Sequence, residues 1–197
     1  TKNKRKFAKM LFFSKFVFLC LANFSNASGL KDTIDRMKWI TNHFNHKSAS
    51  VLEIGSASGL FLDAMKKEGF NVTGIELTYE MVKYSRGLGL KVLDKPLTHL
   101  KPDSEFDLIV SFHCLEHIIN PTETFAAIKK ALKPNGVFMG EVPNQDDWRI
   151  SMFDNLVVKR FHYDPDHNYF SPEILKNYIN KSGLVLKNLE TMNVTIH

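Results

Sequence analysis

In the stretch VLEIGSASGLF, residues 51 to 61, a carboxylate and two glycines stand at the end of an apolar run. Glu53 lies just before Gly55, and Ser56, Ala57 and Ser58 lead to Gly59 and a helix-like stretch. A helix start offers unpaired N–H groups and a partial positive charge, and glycine lets a ligand approach them closely. Such a turn suits a nucleotide-like ligand. The spacing narrows which one. A dinucleotide fingerprint, G-x-G-x-x-G, begun at Gly55 would put its third glycine on Leu60. A carboxylate at Glu53 does not suit a pyrophosphate, whereas it suits a ligand with an ammonium or hydroxyls.

Further groups could do chemistry downstream. Glu76 closes the apolar run NVTGIEL. His113-Cys114-Leu115-Glu116-His117 matches H-x-x-E-H, an inverted zinc-protease pattern. That pattern needs both histidines on one helix face, but the strand-like FDLIVSF runs straight into it, and no third ligand is identifiable downstream. Tyr163 and His167 lie in YDPDHNYFSPE, within a stretch 143–171 that also holds Trp148, Phe153, Phe161 and Tyr169.

These groups need elements to position them. From Lys31 the chain alternates helical and strand patterns. DTIDRMKWITNHF predicts a helix with Asp32 as N-cap, VLEIG a strand and GLFLDAMKKEGF a helix. NVTGIEL, LKVLD, EFDLIVSF, GVFMGEV and LVLKNLE predict five more strands. TYEMVKYSRGLG, with Thr78 as N-cap, predicts a helix. So does NPTETFAAIKKALKPNG, with Pro121 near its start and Pro134-Asn135-Gly136 as its stop, and so does EILKNYINKSG. Alternation of this kind predicts an α/β, doubly wound, mostly parallel sheet with helices on both faces. Ligands then bind beyond the carboxyl ends of the strands, here Gly55, Glu76, Asp94, Phe112 and Val142.

The 197 residues suit one domain with at most an appendage. Cys20 and Cys114 cannot form a disulfide framework or a Cys-based zinc site, which implies a reducing, cytoplasmic location. Much of the net charge of +5 lies in the opening basic run, and no basic stripe interleaves with aromatics, so nucleic acid is not an expected partner. Residues 1–30 are read as a basic, apolar helical segment that packs as a cap on the body, residues 31–197. Peripheral membrane contact through residues 7–24 is the second reading, and a signal segment ending near Ala27-Ser28-Gly29 the third. Lys15 interrupts the apolar run, which is too short to span a bilayer.

Glu53-Ile54-Gly55-Ser56-Ala57-Ser58-Gly59 resembles E/D-x-G-x-G-x-G, the first motif of class I S-adenosylmethionine-dependent methyltransferases, with Ala57 in place of the middle glycine. Glu76 matches the acidic residue that ends the second strand of that family. Residues 106–121 resemble the fourth-strand segment, with Leu-Glu-His, of a small-molecule subgroup, and LKPNGVFMGEVPN, residues 132–144, resembles its LKPGG-strand segment. The resemblance implies a Rossmann-like sheet of the seven-stranded type, with S-adenosylmethionine as cofactor. The closing antiparallel strand is then short, with NVTIH as candidate, or missing. An open edge there would favour a homo-oligomer.

The resemblance also implies roles for single residues. Glu53 and the turn Gly55, Ser56, Ala57 and Gly59 would border the methionine part. Glu76 would accept from the ribose hydroxyls, with Leu77 beside the adenine. Lys95, Pro96 and Leu97 would border the adenine ring. Phe112 and His113 would lie near the sulfonium, since an aromatic face attracts a cation. Some quinone-pathway O-methyltransferases that resemble 113–117 bind a divalent ion. Glu116 and His117 match that set, but His113 stands where an acid would, which weakens magnesium binding, so no metal is expected. His167, Tyr163 and His117 are the candidates for a base, and 143–171 for the acceptor-site loop. The expected activity is methyl transfer to a small-molecule acceptor at a hydroxyl, of a sugar, quinone or polyketide-like class. The alternatives are a non-catalytic methyltransferase-like partner subunit and a dinucleotide-binding oxidoreductase domain, against which Leu60 argues.

Overall fold

The computed structural model describes residues 7–8, 16–22, 29–44, 48–100, 105–144, 168 and 170–192. The strands are β1 (Phe7–Ala8), β2 (Phe16–Ala22), β3 (Ser50–Ile54), β4 (Asn71–Ile75), β5 (Val92–Leu93), β6 (Phe106–Phe112), β7 (Leu132–Pro143) and β8 (Val185–Met192). The helices are α1 (Gly29–His43), α2 (Leu60–Lys67), α3 (Tyr79–Gly87), α4 (Leu97–Leu100), α5 (Pro121–Ala131) and α6 (Pro172–Ser182). One sheet runs β1-β8-β2-β7-β6-β3-β4-β5. Among the described residues the pairings from β2 to β8 are parallel, and β1 is antiparallel to its neighbours. The expected mostly parallel, doubly wound sheet is present.

The central strands explain why the sheet forms. Leu108, Ile109 and Val110 of β6 are fully buried, as a strand covered on both faces requires. Phe125, Phe138, Phe170, Ile40, Leu52 and Leu62 are the largest fully buried side chains. Helix α1 touches α2, while α5 touches α4 and α6. Local chemistry sets the helix ends. Asn120 caps α5 through Glu123 N–H at 3.3 Å and Pro121 follows it; Ser171 caps α6 through Ile174 N–H at 3.2 Å and Pro172 follows. At the end of the sheet away from the site, Asp107 ties the neighbouring strands. It accepts from Ser50 N–H at 2.8 Å, Ser50 Oγ at 2.6 Å and Lys133 Nζ at 2.8 Å.

Three expectations need correction. Phe16–Ala22 is a strand between β7 and β8, where a helical cap was expected. Seven apolar residues with Phe16, Val17 and Phe18 are short for a helix and suited to a doubly covered strand. Helix α1 begins at Gly29, so Asp32 lies inside it and not at its cap. Helix α5 stops at Ala131, before Pro134-Asn135-Gly136, because Leu132 is already extended and pairs with Phe106. Thr78 holds the N-cap position of α3 but makes no side-chain cap bond. Helix α4, over LTHL, was not expected from the pattern. NVTIH lies outside the described residues. Among the described residues no helix is long and apolar enough to cross a membrane.

Candidate functional site

The strand order reverses between β3 and β6, whose outer neighbours are β4 and β7. A crevice beyond the carboxyl ends of strands at such a reversal is where open α/β sheets bind ligands. The turn 55–59 leaves β3 there, and residues 113–117 leave β6 beside it.

The turn is built by backbone bonds. Gly55 and Ser56 N–H donate to Ile75 O at 2.8 and 2.9 Å, and Gly59 N–H donates to Ser56 O at 2.8 Å. Gly55 has φ 78, and a Cβ there would stand 2.5 Å from Cys114 Sγ and 2.6 Å from Cys114 Cβ. The close contact of the two strand ends therefore needs glycine. Ala57 sits at φ 44, a left-handed conformation that costs an alanine about 1–2 kcal/mol. Its N–H donates to Glu76 Oε2 at 2.9 Å and its carbonyl accepts from Ser85 Oγ at 3.1 Å. Those two bonds offset the strain and hold the middle of the turn.

Glu76 follows β4. Its Oε1 accepts from Leu77 and Thr78 N–H at 2.9 and 2.8 Å. Burial alone would raise its pKa. The Thr78, Ala57 and Leu77 bonds to the ionised form outweigh that and bring it below the ordinary carboxylate value. A fixed carboxylate thus joins the turn to the start of α3. Leu77 beside it is 63% exposed. Lys95 and Pro96 follow β5, Lys95 exposed and Pro96 half-buried, whereas Leu97, expected beside the adenine, opens α4 and is buried in the core.

Glu53 is buried beneath the turn, and its Oε2 has no partner among the described residues. Burial pushes its pKa up to about 8; the Arg36 charge opposes the shift and the Glu76 charge adds to it. Ser56 Oγ, Ser111 Oγ and Glu116 Oε2 are likewise buried without a partner. Burial also pushes the Cys114 thiol up to about 12, with Glu116, Glu76 and Glu53 adding, so it is no nucleophile near neutral pH.

A charged chain crosses the mouth of the crevice. Arg36 Nε, from α1, meets Glu141 Oε2 at 2.9 Å. Glu141 Oε1 meets His113 Nε2 at 2.8 Å, and His113 Nδ1 lies 3.6 Å from Glu116 Oε1. Burial would raise the Glu141 pKa, but His113 and Arg36 override it and hold it at about 2. Burial would lower the His113 pKa, but the Glu116 and Glu141 carboxylates raise it to about 9. One face of the Phe112 ring is covered by the Arg36 guanidinium, 4.5 Å from the centroid, and Phe61 meets the ring edge-on at 5.1 Å. The resemblance puts a sulfonium near Phe112, and a protein cation already lies on one face of that ring.

Of the stretch 143–171, the described residues are Pro143, Asn144, Asn168, Phe170 and Ser171. Asn168 N–H donates to Glu116 O at 2.6 Å, and Asn168 Nδ2 reaches Ile118 O at 2.5 Å. Asn144 bridges Phe170. Asn168 is thereby tied to the 3-10 turn Leu115–His117 and its C-cap Ile118. His117 is exposed. Tyr163 and His167 lie outside the described residues, as do Trp148, Phe153, Phe161 and Tyr169.

The fold thus brings together Glu53, the turn, Glu76, Leu77, Phe112 and His113. Sequence reasoning missed Arg36 and Glu141, which no spacing connects. A charge inside the apolar run VFMGEV was the available signal for Glu141. It also missed Gly74 in β4, where a Cβ would stand 2.5 Å from Leu62 Cδ1 and 2.6 Å from Ser56 Oγ. That glycine provides the close helix–strand approach that the turn, with Leu60, does not.

The shifted groups set a pH dependence. His113 contributes stability that is full below its ordinary 6.5 and lost as pH rises through about 9. Glu141 contributes stability that is full above 4.5 and lost as pH falls through about 2. Glu53 keeps its proton in the folded state between 4.5 and about 8, where the unfolded chain releases it, so its burial costs stability as pH rises across that window. The melting temperature is expected to be highest near pH 4.5, to fall as pH rises from there, and to fall further between pH 6.5 and 9 as His113 joins Glu53. Glu53→Gln should flatten the fall. Calorimetric scans across that range check it, and an equally steep fall in the variant would remove Glu53 from the account.

Comparison with known proteins agrees with this geometry. The family described as a methyltransferase domain matches residues 26–189. A ubiquinone biosynthesis O-methyltransferase of Hydrogenovibrio crunogenus is 27% identical over 167 residues, covering 77% of this chain and 68% of the relative. One from an Azoarcus species is 27% identical over 175 residues, covering 80% and 73%. The crystal structure of a SAM-dependent methyltransferase from Archaeoglobus fulgidus superposes with a TM-score of 0.63 at 23% identity, covering 78% of this chain and 68% of that one. At that identity the likeness shows the fold.

Proposed function

The chain belongs to the methyltransferase-domain family, and from that premise we propose that it transfers a methyl group from S-adenosylmethionine to a hydroxyl of a small aromatic acceptor of the quinone-precursor class. The observation that carries the reading is the Glu76 carboxylate, fixed by three backbone N–H groups beside the Gly55–Gly59 turn at the strand reversal. The names of the two curated relatives support a hydroxyl acceptor and its class.

The residues present fit the cofactor. Glu76 would take the ribose diol at Oε2, which accepts from one backbone N–H where Oε1 already accepts from two. The unpartnered Glu53 Oε2 beneath the turn suits an ammonium. Leu77 offers an exposed apolar side chain to the adenine, and Lys95 and Pro96 border the same end. When bound, the cofactor supplies an activated methyl group on a sulfonium. The chain then has to align the acceptor and exclude water, and alignment alone can supply about 7–11 kcal/mol in favourable systems.

We assign proton removal from the acceptor to His167 or Tyr163, in the acceptor loop 143–171. The supporting fact is that His167 precedes Asn168, which is tied to the Glu116 carbonyl. His113 does not suit the task, because its neighbours keep it protonated near neutral pH. A base of this kind adds roughly 10²–10⁴-fold. The test is transfer of a labelled methyl group to a panel of catechols and hydroxybenzoates. Label is expected in a phenolic product, with His167→Ala or Tyr163→Phe lowering kcat more than KM. Cofactor binding without label in any acceptor would favour a non-catalytic partner subunit.

A further inference from the structure

Val82 and Ser85 are the buried residues of α3, and Ser85 is buried completely. A serine inside a helix commonly returns its hydroxyl to a carbonyl of its own preceding turn. Ser85 Oγ instead donates to Ala57 O at 3.1 Å, 28 residues back in the chain. The same side chain fills the space beside Gly59, where a Cβ would stand 3.1 Å from Ser85 Oγ and 3.3 Å from Ser85 Cβ. Ser85 thus supports the turn at two of its residues from within the core, beneath the exposed Ala57. Ala57 is where such a support has a use. Gly59 N–H closes the turn onto Ser56 O at 2.8 Å, and Ala57 is the first of the two residues between them. A positive φ at that place, here 44, normally belongs to glycine. Alanine needs outside bonds to stay there, and it has two, N–H to Glu76 Oε2 and C=O from Ser85 Oγ. Glu76 Oε2 is the oxygen assigned to the ribose, so that bond shares its acceptor with the ligand. The Ser85 bond shares nothing.

Resting on the reading of this turn as the S-adenosylmethionine site, we propose that Ser85 is a positioning residue for the cofactor: its hydroxyl latches the Ala57 carbonyl and keeps the turn in its binding form, a task created by the alanine at 57. Apparent affinity falls with the fraction of chains whose turn has left that form. With alanine at 57, loss of the latch makes that fraction large. With glycine, which holds a positive φ without strain, the fraction stays small.

Four versions of the full chain test this: wild type, Ser85→Ala, Ala57→Gly and the double variant. Amide hydrogen exchange by NMR, without ligand, follows Gly59 N–H against the amides of β6. Ser85→Ala is expected to speed Gly59 exchange about fivefold relative to β6, the worth of one neutral hydrogen bond, and added Ala57→Gly to return it to the wild-type rate or below. Titration of the same samples with S-adenosylhomocysteine is expected to show about threefold to tenfold weaker binding in Ser85→Ala, and affinity within about twofold of wild type in the double variant. Unchanged Gly59 exchange in Ser85→Ala would overturn the proposal. So would faster exchange that Ala57→Gly does not reverse, since α3 would then have loosened as a whole. Wild-type affinity in a Ser85→Ala chain whose Gly59 exchange has risen would overturn it too. Exchange that follows the expected pattern in chains that give no titration heat, wild type included, would support the latch and remove the cofactor reading alone. Should Ser85→Ala fail to fold, Ser85→Cys keeps a weak donor in a similar volume. It is expected to show a smaller rise in Gly59 exchange that Ala57→Gly reverses, and no rise there also overturns the idea.

Discussion

Glu76→Ala is expected to weaken S-adenosylhomocysteine binding by about 100-fold or more, because a charge-assisted pair of hydrogen bonds contributes roughly 3 kcal/mol. Two effects combine. The first is direct: in the proposed role the carboxylate accepts from the ribose. The second is structural. Ala57, Leu77 and Thr78 N–H all donate to this one side chain, so its removal also releases the middle of the turn. Ala57, already at φ 44, is then free to leave the left-handed region. Glu76→Gln separates the parts only partly. Its one oxygen can still accept from Leu77 and Thr78 N–H, but its NH2 then faces Ala57 N–H, so the fold should loosen less than in the alanine variant while affinity still falls. Titration calorimetry on both variants reads the effect. Equal affinity in wild type and the alanine variant would remove Glu76 from the binding site.

Gly55→Ala is expected to be the most damaging small substitution for the fold. The left-handed φ costs about 1–2 kcal/mol. The contact with Cys114 adds overpacking of about 1–3 kcal/mol, since nothing near the two strand ends can yield without moving one of them. Stability should drop by about 2–5 kcal/mol, with loss of cofactor binding. A double-mutant cycle isolates the contact. Cys114→Gly removes both atoms that the new Cβ would meet, so in that background Gly55→Ala should keep only the backbone strain. Denaturant unfolding measures the four proteins. Strict additivity would mean that the two strand ends do not press on each other here.

The parts of the site that the sequence made legible are those in which local pattern and function coincide. Gly55, Gly59 and Glu76 each sit where an apolar strand ends, so period and residue type point to the same place. The apolar runs at 51–54, 71–75 and 106–112 have a single reading as covered strands. What stayed hidden is long-range. Arg36 and Glu141 are 105 residues apart and meet only because α1 lies over the ends of β6 and β7. Gly74 reads as a weak spot in a strand until α2 is laid against it. Phe16–Ala22 was misread because an apolar run preceded by lysines suits a helix on a surface as well as a strand in a sheet. Only the pairing partners β7 and β8 decide between them. His113 was read through its neighbours in the chain, whereas Glu141, from another strand, joins Glu116 in holding its charge.

The central claim is that this turn, with alanine in its middle, holds S-adenosylmethionine. Its most direct test is a calorimetric titration of the folded wild-type chain with S-adenosylhomocysteine, with NAD run in parallel. The account predicts saturable micromolar binding at one site per chain, and no heat from NAD. A folded sample that gives no heat with S-adenosylhomocysteine would contradict it, and so would one that binds NAD instead.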